Sequence, residues 1–130
     1  MEEGLKNKWL DPVLSWIGES TNVEALKDGW AVVGTTVTDG DGDGICIYVR
    51  DEGDRITMSD DGYFIDGYRP LSDNCLNKDG KARLERAIRI VSNYGIRYED
   101  REFRMDTTRE RYALDFNIFL RALVWVSDFL

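Results

Sequence analysis

Three stretches of the chain carry apolar residues at helical spacing, and the first lies near the amino terminus. One face of a predicted helix over residues 5–17 is formed by Leu5, Trp9, Val13, Trp16 and Ile17. Pro12 lies inside this pattern and has no backbone N–H. A helix that begins near Asp11 is therefore an open alternative, with Asp11 as N-cap and Pro12 at the first helical position. Gly18 is expected to end the helix.

The other two helices are predicted in the second half of the chain. Asp79 is a suitable N-cap for a middle helix over residues 80–94. Thr107 begins a capping box, T-T-R-E, and is the predicted N-cap of a long helix over residues 108–128. We expect this last helix to be the central packing element. Its apolar stripe consists of Tyr112, Phe116, Phe119, Leu120, Leu123 and Val126.

Between the first two helices the pattern changes to short runs rich in β-branched and aromatic residues. Residues 29–38, 45–49 and 56–59 are predicted strands, and glycine-aspartate turns join them into an antiparallel meander. Residues 96–98 and 102–105 flank a polar turn and predict a short hairpin.

The order of these elements determines the expected fold class. Helices and strands are segregated rather than alternating, which favours an α+β fold over a parallel sheet. We predict one domain over residues 1–130, with a small antiparallel sheet packed by an N-terminal, a middle and a long C-terminal helix. Residues 63–77 carry no clear pattern, and a short helix and irregular structure both remain open.

Charge is distributed unevenly along the 130 residues, whose net charge is −8. Residues 1–77 carry 16 acidic and 6 basic side chains, whereas residues 78–130 carry 9 and 11. Nucleic-acid binding depends on Lys and Arg side chains that displace counterions. We therefore expect no direct contact with nucleic acid, and a basic protein surface as the partner.

The acidic side chains concentrate in two turns and at one strand end, which we expect to lie along one edge of the sheet. We predict that they form the partner-binding surface, because complementary charge steers association and repels wrong partners. The residues are Asp39, Asp41, Asp43, Asp51, Glu52, Asp54, Asp60 and Asp61.

The string D-G-D-G-D-G over residues 39–44 resembles the start of a calcium-binding loop. Such a loop needs a bidentate carboxylate at its twelfth position, and Arg50 stands there. We therefore predict a tight turn, in which the glycines supply positive φ and the aspartates cap backbone groups. A weak cation site is the alternative.

No catalytic constellation is evident, because the chain contains no histidine. That absence removes the commonest general base, the usual activator of Ser and Cys nucleophiles and the commonest zinc ligand. We expect no enzymatic activity, no metal and no cofactor. The alternative is a metal-dependent nuclease or hydrolase that uses Asp43, Asp60 and Asp61, although no lysine lies between residues 28 and 77 to complete an acid-x-Lys pair.

The remaining features concern location and packing. The acidic start and the absence of a long apolar run predict a cytoplasmic protein without a signal peptide or membrane span. Cys46 and Cys75 are expected to be free thiols, with Cys46 packed in its strand. The four tryptophans are expected mainly in the core, and an exposed one beside acids would be an interface anchor.

Several motifs together resemble a known family. The strings GDGICIYV at 42–49 and ITMSDDG at 56–62 resemble the signature of a bacterial and phage family catalogued as domain of unknown function 1828. Residues 82–95, the hairpin after them, and the strings RAL at 121–123 and VSD at 126–128 are similar too. The resemblance implies no chemistry, since the family has no assigned activity. It implies a phage or mobile-element context, in which small acidic proteins often block a host defence protein.

These observations predict a non-catalytic, acidic protein-binding domain from a phage or mobile element. Its partner would present a basic surface, for example the nucleic-acid-binding surface of a defence complex. Besides the metal-dependent hydrolase, a structural module that dimerises through the helix over residues 108–128 is the remaining alternative. The sequence leaves the oligomeric state open.

Overall fold

The structure is a computed structural model that describes residues 2–40, 42–62 and 78–129. The strands in these ranges are β1 (Asn22–Ala25), β2 (Trp30–Thr38), β3 (Gly44–Asp51), β4 (Ile56–Ser59), β5 (Ile96–Glu99) and β6 (Glu102–Thr107). The α-helices are α1 (Glu2–Trp9), α2 (Asp11–Ser20), α3 (Lys78–Val91) and α4 (Tyr112–Phe129). The part of the chain described here contains no helix long and apolar enough to cross a membrane.

All six strands form one antiparallel sheet in the order β1-β2-β3-β4-β6-β5. The predicted meander is β2-β3-β4 and the predicted hairpin is β5-β6. They join because β4 pairs with β6, with Ile56 opposite Thr107 and Met58 opposite Met105. The α+β class is therefore confirmed, with a larger sheet than the sequence predicted. Strand β1 was not predicted, and its four residues are all exposed.

The core lies between one face of this sheet and the helices α3 and α4. The sheet contributes Ile47, Met58 and Phe103, whose side chains are fully buried. Alternation places every second residue of a strand on the same face, so these side chains point together towards the helices. The helices contribute, among others, Ala87, Val91, Phe119, Leu123 and Val126. The apolar stripe of α4 thus packs in the core, as expected.

The amino-terminal segment forms two short helices rather than one. Leu10 separates α1 from α2 and is the N-cap of α2, so the alternative start near Asp11 is confirmed but Asp11 is not the cap. Pro12 lies in the first turn, where its missing N–H costs no helical hydrogen bond. Gly18 does not end the helix, which continues to Ser20, because one glycine costs a helix only about 1 kcal/mol.

The predicted capping box before α4 is wrong. Thr107 is the last residue of β6, where it pairs with Ile56, and α4 begins at Tyr112. The Thr107 hydroxyl donates to Asp115 Oδ2 at 2.6 Å instead of capping a helix. Sheet pairing therefore overrides the local preference of T-T-R-E. The middle helix likewise begins at Lys78, so Asp79 lies in its first turn and is not its N-cap.

Candidate protein-binding surfaces

The predicted acidic residues lie at two opposite ends of the sheet rather than along one edge. Asp39 and Asp43 flank the β2–β3 turn, and Asp60 and Asp61 follow β4 at the same end. The residues in and before the β3–β4 turn lie at the other end, because successive turns of an antiparallel meander alternate between the two ends. They are Asp51, Glu52 and Asp54. Asp41 falls outside the described residues.

Asp39 and Asp60 are buried and hold the backbone of their loops. Asp39 Oδ1 accepts a hydrogen bond from the Asp43 N–H at 3.0 Å, and the backbone N–H of Gly42 donates to the Asp39 carbonyl at 3.0 Å. The described residues of the D-G-D-G-D-G string therefore form a turn. Asp60 Oδ1 accepts from the N–H groups of Gly62 at 3.0 Å and Phe103 at 2.9 Å. Both carboxylates stabilise the fold.

The acidic side chains at the other end are paired with arginines. Glu52 binds Arg55 at 2.8 Å and Arg50 at 2.7 Å. The hydrogen bonds from these two guanidinium groups lower the pKa of Glu52 to about 2, and the larger contribution comes from Arg55. Asp51 accepts from the Gly53 N–H at 2.9 Å and binds Arg109 at 2.9 Å. This end of the sheet is therefore largely neutralised.

Among the predicted residues, Asp43, Asp54 and Asp61 also have exposed side chains. Desolvation, and then the nearby Glu102 carboxylate, raise the pKa of Asp61. Within residues 2–40, 42–62 and 78–129, no group of three or more Cys, Asp or Glu side chains is placed to hold a metal ion. Asp60, moreover, is buried, and its Oδ1 accepts hydrogen bonds from two backbone N–H groups. Asp43, Asp60 and Asp61 are therefore not assembled into a three-carboxylate group in this structure.

The sheet face opposite α3 and α4, here called the outer face, carries arginines and acids that neutralise one another. Arg97 binds Asp106 at 3.0 Å and Arg104 binds Glu102 at 3.1 Å. Because these charges pair with one another, little net charge remains on this face for a partner.

Cys46 lies exposed on the sheet, whereas we expected it to be packed in its strand.

A cleft of about 540 Å³ opens on the outer face between β1–β2 and β6. It contains Ser59, whose hydroxyl donates to Glu102 at 2.5 Å and also accepts from the Asp61 N–H at 2.9 Å. Ser59 is 1% exposed, so its hydroxyl is not accessible for attack on a substrate. The Ser59 hydroxyl therefore serves to hold the loop after β4 and the Glu102 side chain in place.

The two amino-terminal helices expose most of their apolar side chains. Together α1 and α2 bury no residue, and we call them the N-terminal helix pair. The exposed side chains are Leu5, Trp9, Leu10, Val13, Leu14, Trp16 and Ile17, each at least 40% exposed. The expectation that the tryptophans lie in the core is thus wrong for Trp9 and Trp16. Clusters of exposed apolar side chains mark interaction surfaces.

A second apolar surface is the groove between α3 and α4, which has a volume of about 460 Å³. We call it the α3–α4 groove, and it is lined by Ile90, Val91, Tyr94, Ile118, Arg121, Ala122 and Trp125. Beside it the Trp125 ring stacks on Phe129 with centroids 4.9 Å apart, and the Arg86 guanidinium lies 5.9 Å from the Phe129 centroid. No sequence pattern predicts this groove, because it depends on how the two helices pack.

These features define an α+β domain on a single antiparallel sheet with two exposed apolar surfaces. The chain belongs to the family described as Domain of unknown function DUF1828, whose model matches residues 35–126. The resemblance inferred from the motifs is thus confirmed. The match begins within β2, so α1, α2 and β1 precede it. No curated protein and no solved structure matches the chain.

Proposed function

We propose that this chain is a non-catalytic protein-binding domain that docks on its partner through the N-terminal helix pair. The observation that carries the proposal is the exposure of Trp9 and Trp16 together with five other apolar side chains of residues 5–17. Tryptophan is enriched among the residues that dominate binding energy at protein interfaces. Water contact with this much apolar surface is unfavourable, and a partner that covers it gains the corresponding free energy.

The charges on and near the helix pair indicate the chemistry of the partner. Residues 2–20 contain four acids and two lysines, and the acids are Glu2, Glu3, Asp11 and Glu19. An apolar surface bordered by basic side chains would complement this arrangement. The exposed acids Asp43, Asp54 and Asp61 would add to electrostatic steering. Nucleic-acid-binding surfaces carry the positive charge that would complement these acids. The foreign partner that we propose for a phage or mobile-element product is a host defence protein with such a surface.

The experiment is an affinity purification from the native host, followed by binding measurements with each purified candidate. The Trp9→Ser/Trp16→Ser variant should lose binding by at least about tenfold, because two hot-spot side chains are removed. Leu114→Ser is the matched control, since Leu114 is 56% exposed but lies on α4. Equal binding by the wild type and the double tryptophan variant would show that the helix pair is not the docking surface.

A further inference from the structure

The α3–α4 groove combines an apolar lining with positive charge. Arg121 lines the groove and Arg86 lies beside it against Phe129. Neither guanidinium makes an ion pair with any residue in the described ranges. An apolar surface flanked by two such cations would favour an apolar ligand that also carries negative charge.

The arginines of the sheet differ from those of the helices. Arg50, Arg97 and Arg104 each bind a carboxylate at 3.1 Å or less. Helix α3 contains five basic and two acidic residues, and its exposed cations form no ion pair within the structure as described. They are Lys81, Arg83, Arg86 and Arg89. The positive charge beside the α3–α4 groove is therefore not neutralised by ion pairs among residues 2–40, 42–62 and 78–129.

The N-terminal helix pair has the complementary composition, with exposed apolar side chains and an excess of acids. Its dimensions are also compatible, because α2 with 10 residues is about 15 Å long and α3 with 14 residues about 21 Å. Within one chain the two surfaces lie apart. Helix α2 packs against β2 near one edge of the sheet, and α3 packs against β5 at the opposite edge.

We propose that the N-terminal helix pair of one copy docks in the α3–α4 groove of a second copy. This inference rests on the proposed function, since it uses the same helix pair as a docking surface. The contact joins two different surfaces. We place the two copies about a twofold axis, because that arrangement repeats the contact and closes a dimer with two equivalent contacts. Trp9 and Trp16 would supply apolar anchors for the groove, and the acids of the helix pair would face Arg86 and Arg121.

The test is sedimentation equilibrium of the full chain and of two variants. The wild type should be dimeric. The groove variant Arg86→Glu/Arg121→Glu and the helix variant Trp9→Ser/Trp16→Ser should each raise the dimer dissociation constant at least about tenfold. An equimolar mixture of the two variants should recover a one-to-one dimer, because one intact groove then meets one intact helix pair.

The matched control is Arg89→Glu, which changes the charge of α3 equally but does not line the groove. It should remain as dimeric as the wild type. Circular dichroism should show unchanged folding, because all substituted side chains are exposed. A groove variant that stays dimeric would overturn the inference, since the helix pairs would then bind each other. Failure of the mixture to associate would overturn it too.

The inference and the proposed function can fail separately. A monomeric wild type over a wide range of concentration would overturn self-association. The proposed function would still be decided by whether the Trp9→Ser/Trp16→Ser variant loses a foreign partner that Leu114→Ser retains. If the wild type is dimeric but all variants bind every foreign candidate equally, the second copy is the partner of the helix pair.

Discussion

The carboxylate of Asp60 accepts a hydrogen bond from the backbone N–H of Phe103, 43 residues further along the chain, at 2.9 Å. The backbone N–H of Asp60 in turn donates to the Phe103 carbonyl at 3.2 Å. The two residues thus extend the pairing of β4 with β6 beyond the last strand residue. Asp60 is 1% exposed, and its buried Oδ1 accepts hydrogen bonds from two backbone N–H groups. Its position makes it a structural residue.

Replacing Asp60 should therefore lower stability. Asp60→Ala would leave the N–H groups of Gly62 and Phe103 buried without their acceptor, at a cost of about 2–4 kcal/mol in the free energy of unfolding. Asp60→Asn keeps an acceptor oxygen and should cost less. Urea denaturation measures both. Asp54→Asn is the control, because Asp54 is exposed and surface substitutions change stability by less than about 0.5 kcal/mol. Wild-type stability of Asp60→Ala would contradict the structural role.

The sequence predicted elements well where the pattern is local and strongly periodic. Strand β4 was predicted at residues 56–59, its observed range, because its β-branched and apolar residues lie between two glycine-aspartate turns. Strand β1 was missed, because its four residues are exposed and Val23 and Ala25 are its only apolar residues. It is a strand through its pairing with β2, which no local pattern reveals.

The candidate surfaces could not be predicted fully from the sequence, because they depend on packing between residues that are distant along the chain. The apolar stripe over residues 5–17 was correctly assigned to helix, yet the same stripe is expected of a buried helix and of a docking helix. The buried residues Asp39 and Asp60 are aspartates like the exposed acids of the same set. They differ in their surroundings, for example in the hydrogen bond that Asp60 accepts from Phe103. Only the fold distinguishes an acid that caps a loop from one that faces solvent.

A double-mutant cycle should detect the bond between β6 and α4. The Thr107 hydroxyl donates to Asp115 Oδ2 at 2.6 Å, and Asp115 is 4% exposed. Thr107→Val and Asp115→Ala should couple by about 1–2 kcal/mol in the free energy of unfolding, because both groups are buried. The exposed pair of Asp51 and Arg109 is the control and should show clearly weaker coupling. Additive effects of the first pair would refute the bond.

Glu52 should make stability depend on acid pH. Its pKa is lowered from 4.5 to about 2 by Arg55 and Arg50, so folding favours the ionised form. The resulting stabilisation is present above pH 4.5 and is lost as the pH falls towards about 2. Glu52→Gln should therefore flatten the decrease of the urea midpoint over this range, and Arg55→Ala should raise the pKa of Glu52 in an NMR titration. An unchanged slope in Glu52→Gln would exclude the contribution, which should also weaken at high salt.

The tryptophans of the N-terminal helix pair should be dispensable for folding. Trp9 and Trp16 are 67% and 56% exposed, so Trp9→Ser/Trp16→Ser should change the free energy of unfolding by less than about 1 kcal/mol in total. Leu123→Ala is the contrast, because Leu123 is 1% exposed and its loss leaves a cavity that costs about 2–5 kcal/mol. Urea denaturation, followed by circular dichroism so that the signal survives the loss of both indoles, compares the variants. A large destabilisation by the tryptophan substitutions would mean that these side chains pack within the chain in solution. The helix pair would then not be free to bind a partner, because an apolar face that is packed within its own chain is not available to a second protein.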